Sequence, residues 1–367
     1  MKIKQLGIIS MAFTFAGCLL GAGYVSGQEL WQYFGSYGSV GIIGLMISLV
    51  LVALSSALVL WISDHAKTGT VDRLIIRFEI PWLRVLVGVL FSVLYFVIAI
   101  IMIAGITSLC SQLFGMNRTL GSALATALIM TTVYFGFSGM VRVFELVVPV
   151  LVVAAIIISV ICIGKAGAGN IRMTASEVNP MLGPWYMSAL NYTALNLFAS
   201  IGILAPLVSH FKSKKVGPVG IALGTFALIG IAILIILAMA TDPAATEEDL
   251  PMLYIAQQMG SVYTAVYAAL LFLAMYGNAN ASMVAALNYY EKRFAKDRYG
   301  KGRIIRIVIL GALAFACSLT GFTNLVATVY PVIGYVGIAS MVLLIEQAIH
   351  LLKNKNRHLN PSDDLQR

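Results

Sequence analysis

Long uninterrupted runs of apolar residues constrain this sequence more than any other feature. A bilayer core about 30 Å thick is crossed by about 20 apolar residues in a helix. The chain has 367 residues, of which 60% are hydrophobic and only 11% are charged, a composition typical of a protein that crosses the bilayer many times. Ten apolar stretches lie at about 6–33, 38–62, 83–114, 119–137, 142–165, 182–206, 217–240, 252–289, 303–320 and 323–351.

These stretches predict an all-α polytopic membrane protein with about ten transmembrane helices. A closed β-barrel is excluded, because its strands alternate between apolar and polar residues about every second position. With the N-terminus in the cytoplasm, 21 of the 24 lysine and arginine residues fall on the cytoplasmic side. This asymmetry predicts that both termini are cytoplasmic. It also explains the net charge of +9 without a nucleic-acid partner.

The acidic segment 241–251 falls outside the membrane in this topology, and it carries no lysine or arginine. Two interpretations remain open for it. The segment is either a solvated loop or a lip that attracts cations to an external vestibule.

The chain divides into two halves of similar length within one transmembrane domain. Residues 1–165 and 182–351 each hold five apolar stretches, and residues 352–367 form a predicted cytoplasmic tail. An odd number of spans in each half forces the halves to insert with opposite orientation. Inverted repeats of this kind recur in secondary transporters, where the first helix of each half is often broken at the bilayer midplane.

A polar, glycine-rich segment interrupts the first apolar stretch, where the sequence GAGYVSGQE runs from Gly21 to Glu29. Backbone groups without helical partners are costly in hydrocarbon unless a ligand or water satisfies them. A break there would therefore suit a binding site. The alternative is close helix packing, because Gly17 with Gly21 and Gly23 with Gly27 are both GxxxG pairs. The sixth stretch is also polar near its middle, around Asn196, which predicts a second broken helix.

GAGYVSGQE followed by LWQYFGSYG resembles the first helix of the YkvI-type bacterial membrane proteins. These proteins belong to the amino acid-polyamine-organocation superfamily, which has the LeuT-type fold of five plus five inverted helices. The resemblance implies a multi-pass protein of the bacterial cytoplasmic membrane. It also implies transport of amino acids or related small molecules, driven by Na⁺ or H⁺, with the substrate between helices 1 and 6 and helices 3 and 8 alongside.

The predicted substrate-binding residues cluster at the two interrupted helices, and one tyrosine in helix 3 joins them by resemblance. They are Gly21, Ala22, Gly23, Tyr24, Ser26, Gly27, Tyr95, Tyr192, Asn196 and Ser200.

A second group of residues is predicted to couple transport to an ion or a proton. Glu29 stands within a membrane span, where a charged residue usually serves a function, although it could instead reach the outer interface beside Trp31 and Tyr33. By resemblance, a candidate Na⁺ site combines backbone carbonyls of helix 1 with side chains of helix 8. Its residues are Leu20, Gly23, Asn278 and Ser282. The family's serine–threonine pair is missing from helix 8, which leaves H⁺ as an alternative to Na⁺.

Secondary active transport by alternating access is the leading hypothesis, with a small-molecule substrate, a lipid environment and a monomer that is sufficient for activity. A channel and a non-transporting sensor with the same fold are the alternatives. An enzyme is not expected, because the four histidines lie outside the predicted membrane core and neither HExxH nor GxSxG occurs. No cofactor is expected apart from Na⁺ as a candidate ion.

Overall fold

The computed structural model describes residues 6–66, 81–135, 140–294 and 301–359, and these residues are almost entirely helical. Several of the basic residues used to predict orientation, among them Lys2, Lys4 and Arg73, lie outside the described residues. The end of the predicted tail does so as well. Near the N-terminus, Leu6 pairs with Phe211 in a short bridge that joins the two halves of the chain.

Among the described residues, seven α-helices lie in the first half of the chain and six in the second. The first half contains α1 (Ile8–Leu19), α2 (Ala22–Ser26), α3 (Gln28–Tyr33), α4 (Ser39–Ala66), α5 (Pro81–Phe114), α6 (Arg118–Phe135) and α7 (Met140–Ala166). The second half contains α8 (Trp185–Ala199), α9 (Val216–Met239), α10 (Pro251–Met259), α11 (Ser261–Phe294), α12 (Lys301–Ser318) and α13 (Phe322–Leu359). Each of the ten predicted stretches therefore contains helix.

Six helices of the described chain are long and apolar enough to cross a membrane. The spans lie at Ser39–His65, Val85–Phe114, Pro149–Ala166, Val216–Met239, Ser261–Glu291 and Phe322–Lys353. The helix Ile8–Leu19 is apolar but shorter. The protein is thus a helical membrane protein, as the sequence predicts.

The predicted span 252–289 is two helices rather than one. Helix α10 begins at Pro251 and ends at Met259, and Gly260 separates it from α11 with a φ of 123°. Residues other than glycine rarely adopt this backbone conformation, so the helix cannot continue through it. Apolar residues lie on both sides of Gly260, so the sequence pattern predicted one continuous span and not a helix boundary at this glycine.

Helices from the two halves pack against each other throughout the bundle. Helices α5 and α11 share the most extensive contact, α1 packs along α9, and α8 packs between α4 and α13. Helices α2 and α3 lie inside this arrangement, in contact with α8, α9 and α11. The interrupted first span thus lies mainly among helices of the second half, with α7 of the first half also in contact.

Candidate functional site

The first span is interrupted at Leu20 and Gly21, as the sequence predicts. The Leu20 backbone amide still donates to Ala16 O at 2.9 Å, as in a helix. The Gly21 backbone amide donates instead to Leu19 O, only two residues earlier, at 2.8 Å. Gly21 itself has an extended backbone, with a ψ of 169°. Among the described residues, no backbone donor reaches the carbonyls of Gly17 and Cys18. The interruption therefore leaves polar backbone groups available within the bundle.

The space beside this interruption is open rather than closely packed. A Cβ atom added to Gly17 or to Gly21 would meet no other atom within 4 Å. Both glycines are half-exposed, whereas Leu19 and Leu20 beside them are buried. The GxxxG packing alternative is therefore wrong for this pair, because a packing motif would bring a neighbouring helix against these positions.

A second interruption follows at Gly27, which the sequence analysis did not predict. Gly27 is in the left-handed region with a φ of 87°, and it separates α2 from α3. The Ser26 hydroxyl donates to Gly23 O at 3.0 Å and accepts from the Gln28 amide at 3.4 Å, which ties the two short helices together. A Cβ atom on Gly27 would come 2.5 Å from Met239 Sδ, so this turn also packs tightly against α9.

This turn brings Glu29 into the interior of the protein. Glu29 lies in the first turn of α3 and is only 6% exposed, so it does not reach the outer interface. Its carboxylate lies over α2, where a Cβ atom added to Gly23 would be 2.7 Å from Glu29 Oε2. Gly23 therefore makes room for the carboxylate by having no side chain.

Four tyrosines, on α2, α3, α8 and α13, lie within electrostatic range of Glu29. They are Tyr24, Tyr33, Tyr192 and Tyr330. Two of their hydroxyls are committed elsewhere, since Tyr24 donates to Leu228 O at 2.7 Å and Tyr33 donates to Asn191 Oδ1 at 3.1 Å. The Tyr192 hydroxyl points toward Glu29, yet it is buried and has no hydrogen bond of good geometry within the described structure.

Sequence reasoning identified Tyr24 and Tyr192 but missed Tyr33 and Tyr330. Tyr33 follows Glu29 by four residues and so shares its face of α3, a signal that was readable from the sequence. Tyr330 arrives from α13, about 300 residues away, and nothing in its local sequence indicates this contact.

The sixth span keeps its helical winding through Asn196, so the predicted break at this residue is wrong. The winding changes four residues later, to a π-helical segment over Ser200–Leu204 and a 3₁₀ segment over Ala205–His210. The side-chain amide nitrogen of Asn196 (Nδ2) donates to Tyr192 O at 2.9 Å, so this donor finds its acceptor within the same helix. Proline at 206 has no amide to donate to residue 202, which accounts for irregular winding at this point rather than at Asn196.

The residues predicted in helix 6 remain close to the first span or to α4. Tyr192 packs edge-on against Tyr33 and Phe34, with ring centroids 5.1 and 5.0 Å apart. The Ser200 hydroxyl lies 2.7 Å from the Ser56 hydroxyl of α4. Tyr192 is therefore the member of this predicted set that reaches Glu29.

The predicted ion-coupling residues lie on two elements. Leu20 and Gly23 flank the interruption of the first span, whereas Asn278 and Ser282 are one turn apart on α11, with Ser282 Oγ donating to Asn278 Oδ1 at 3.3 Å. Helix α11 reaches α2 through the Tyr267 hydroxyl, which donates to Val25 O at 2.5 Å. Within the described ranges, no group of three or more His, Cys, Asp or Glu side chains converges as a metal site.

Tyr95 is half-buried on α5 and packs against the hydrophobic core. No hydrogen bond joins it to the interrupted span in the described part of the chain. Its predicted role in substrate binding stays a prediction.

Asp249 closes the end of the bundle at which α3 and α5 finish. Its Oδ2 accepts from Ser108 at 2.8 Å and from Arg118 at 3.3 Å, and its Oδ1 accepts from Thr323 at 2.6 Å. This aspartate belongs to the acidic segment 241–251, so at least one carboxylate of that segment has a structural role. The contact joins the loop before α10 to α5, α6 and α13.

Comparison with known proteins agrees with this architecture. No family model matches the chain. The uncharacterised membrane protein YkvI of Bacillus subtilis strain 168 is 26% identical over 330 residues, which cover 90% of this chain and 92% of YkvI.

Two solved structures have the same overall fold. MhsT, solved in complex with L-phenylalanine, is 14% identical, with a TM-score of 0.64 over 95% of this chain and 92% of MhsT. Mhp1 in its inward-facing conformation is 12% identical, with a TM-score of 0.63 over 94% of this chain and 77% of Mhp1. Mhp1 is described as a nucleobase-cation-symport-1 family transporter. YkvI is thus a homologue of this chain, which has the LeuT-type fold that its glycine-rich first span predicted.

Proposed function

We propose that this protein is a secondary active transporter of a small organic solute of the amino acid class. The interruption of the first span carries the proposal, because it leaves carbonyls of Gly17 and Cys18 without a backbone partner in the described structure, beside glycines at which an added Cβ would meet no atom within 4 Å. Such groups are costly in a membrane interior unless a ligand or water satisfies them. A small polar solute or ion at this position would do so. The fold shared with MhsT and Mhp1 supports the same function.

The proposed architecture is ten spans in two inverted halves, comprising residues 1–165 and 182–351, followed by the tail 352–367. Reciprocal packing supports it. The first span packs on the second span of the other half, α1 on α9, and the sixth span packs on the second span of the first half, α8 on α4. A two-fold axis in the membrane plane would generate this exchange of partners.

In the proposed mechanism, the solute binds between the interrupted first span and α8, beside Tyr192. Rocking of one helical bundle against the other exposes it to alternate sides of the bacterial cytoplasmic membrane. The Asp249 contacts with Ser108 and Thr323 would have to separate when that end of the bundle opens. Na⁺ at Leu20, Gly23, Asn278 and Ser282, or a proton on Glu29, would couple the movement to a gradient.

A channel is the competing function, and the distribution of polar groups weighs against it. Channels need a continuous polar lining or charged rings along a pore. In the described residues the buried carboxylates are Glu29 on α3 and Glu291 near the end of α11, and two single carboxylates do not make a charged ring. A sensor with the same fold would bind the solute without moving it.

Thermal-shift screening of the purified protein against amino acids, with and without Na⁺ and at two pH values, tests the proposal. We expect one amino acid or related compound to raise the unfolding temperature, and the same compound to accumulate in proteoliposomes under a Na⁺ or H⁺ gradient. Binding without uptake would support the sensor instead. Conductance without any saturable ligand would support the channel.

A further inference from the structure

Helices α11 and α12 follow each other in the chain, yet a cavity separates them. Both helices pack on α5, and α12 also packs on α6, whereas α11 and α12 share little close contact within the described residues. The space between them is a cavity of about 540 Å³, with α5 at its base. This volume lies within the range of about 300–1,000 Å³ that is typical of ligand sites.

Most of the cavity wall is apolar. The Ser92 hydroxyl of α5 donates to Ala286 O of α11 at 3.0 Å, and the Tyr289 hydroxyl of α11 donates to Val85 O at 3.2 Å, so these two helices form a continuous wall. The apolar lining residues are Val89, Val93, Phe96, Leu287, Ile309 and Leu310. Val93 and Ile309 are about half exposed, so the cavity is open on the side that faces the hydrocarbon of the bilayer.

A cluster of charged side chains joins α11 to α12 beside this cavity. Arg306 Nη2 donates to Glu291 Oε1 at 3.0 Å, and Arg303 Nε lies 3.8 Å from the same oxygen. Glu291 is only 6% exposed, whereas the arginine side chains are 23% and 19% exposed, and Arg306 lines the cavity. A ligand in the cavity would therefore meet the arginines before the carboxylate.

This part of the chain is strongly basic and lies at the edge of the bilayer. From Glu291 to Arg306 the sequence has seven basic residues and two acidic ones. Glu291 is the last residue of the apolar span Ser261–Glu291, so the cluster lies at the depth where hydrocarbon gives way to lipid headgroups. Basic residues beside a span attract anionic lipids. They also fix the orientation of a chain, but that role requires no cavity.

We propose that this cavity binds an anionic phospholipid, with its phosphate at Arg303 and Arg306 and an acyl chain between α11 and α12. Guanidinium groups bind phosphate oxygens through paired hydrogen bonds, and the apolar wall matches a hydrocarbon chain. A soluble phosphate would match only the arginines. The bound lipid would connect α11 and α12 where the protein leaves space between them. This inference goes beyond the proposed transport and does not depend on the transported solute.

Binding of defined lipids to the full-length protein tests the proposal. The purified protein is stripped of lipid in detergent and mixed with palmitoyl-oleoyl phosphatidylglycerol or with phosphatidylcholine of the same chains. Native mass spectrometry counts the bound lipid, and a thermal melt measures the stabilisation. We expect one phosphatidylglycerol to bind more tightly than phosphatidylcholine and to raise the unfolding temperature more. We expect sn-glycerol 3-phosphate, which has the phosphate without the chains, to stabilise the protein far less.

Two pairs of variants locate the site. Arg306→Gln is expected to weaken phosphatidylglycerol binding about fivefold, the order expected for one basic residue, whereas Lys215→Gln removes an exposed charge outside the cavity and is expected to bind like the parent protein. Val93→Trp fills the apolar cavity and is expected to block binding. Val153→Trp is its control, because the two valines are 51% and 54% exposed and Val153 lies on α7. Val93→Trp changes no charge, so it keeps the test available if Arg306→Gln does not fold.

Each other result contradicts the inference in a recognisable way. Equal binding of the two lipids would mean that the arginines select nothing. An equal loss of binding in Arg306→Gln and Lys215→Gln would mean that the lipid follows the overall charge, and unchanged binding in Val93→Trp would place the lipid elsewhere. Stabilisation by sn-glycerol 3-phosphate equal to that by the lipid would indicate a site for a soluble phosphate. None of these results bears on the transporter proposal, because no transported solute is present.

Discussion

Glu29 Oε2 lies over the α-carbon of Gly23, where even an added methyl carbon would be only 2.7 Å away. The left-handed turn at Gly27 makes this contact possible, because it redirects α3 so that its first turn packs on α2. Several residues of the sequence GAGYVSGQE thus have different structural roles. Gly21 ends α1, Gly23 accommodates the carboxylate, Gly27 forms the turn, and Glu29 provides the charge.

Gly23→Leu is expected to abolish uptake without preventing membrane insertion. A leucine side chain would occupy the place of the Glu29 carboxylate and displace it from the tyrosines. Uptake of the amino acid that stabilises the parent protein measures the loss, and size-exclusion chromatography checks folding. Gly230→Leu is the matched control, since the position is exposed on α9 and a Cβ atom there meets nothing within 4 Å. Near-normal uptake by Gly23→Leu would argue against the site.

Gly27→Ala is expected to lower the unfolding temperature more than Gly115→Ala. Both glycines have positive φ, at 87° and 61°, so both alanines carry a conformational cost of about 1 kcal/mol. Only Gly27 also faces a tight contact, with Met239 Sδ, and overpacking costs about 1–3 kcal/mol. An equal fall in the unfolding temperature of the two variants would mean that Met239 of α9 can move away from residue 27 without a loss of stability.

Tyr192→Phe is expected to weaken solute binding while leaving stability almost unchanged. Its hydroxyl has no well-formed hydrogen bond to lose in the described structure. Tyr24→Phe is expected to lower stability, because the Tyr24 hydroxyl donates to Leu228 O at 2.7 Å and losing this hydrogen bond should cost about 1 kcal/mol. Melting temperature and solute affinity, measured on both variants, separate the two effects. A large fall in stability for Tyr192→Phe would mean that its hydroxyl is bonded after all.

Asp249→Ala is expected to destabilise the protein more than Arg118→Ala. The aspartate accepts from Ser108 and Thr323 at 2.8 and 2.6 Å, and hydrogen bonds to a charged group contribute about 1.5–3 kcal/mol each. The Arg118 side chain is 55% exposed, and exposed ion pairs contribute about 0–1 kcal/mol. Thermal melts of both variants, with Glu247→Ala as an exposed control, check this order. The reverse order would mean that the ion pair holds this end together.

The sequence predicted the interruption at Leu20 and Gly21 correctly because glycines and polar residues there replace apolar ones within a span. The same reasoning was wrong at Asn196. A polar side chain in a membrane helix can bond to the carbonyl one turn earlier, as Asn196 does with Tyr192 O, so polarity alone does not predict unwinding. Missing amides and positive φ values, at proline 206 and Gly260, proved to be the better indicators of irregular backbone.

Contacts made across the fold were less accessible to sequence reasoning. Tyr33 shares a helical face with Glu29, so its proximity follows from a four-residue spacing. Tyr330 comes within electrostatic range of the same carboxylate because α13 packs along α8 and against α3. That neighbour depends on the packing of the whole bundle, and local sequence does not contain it.

Helix α2 is a five-residue rod with a non-helical joint at each end, at Gly21 and at Gly27. No continuous ladder of amide bonds connects it to α1, and side-chain hydrogen bonds hold it instead, from Tyr24 to Leu228 O of α9 and from Tyr267 of α11 to Val25 O. Glu29 lies directly against this rod, so any rotation of α2 would alter the surroundings of the charge at once. Solute capture and the first movement of the transport cycle would then be a single mechanical event.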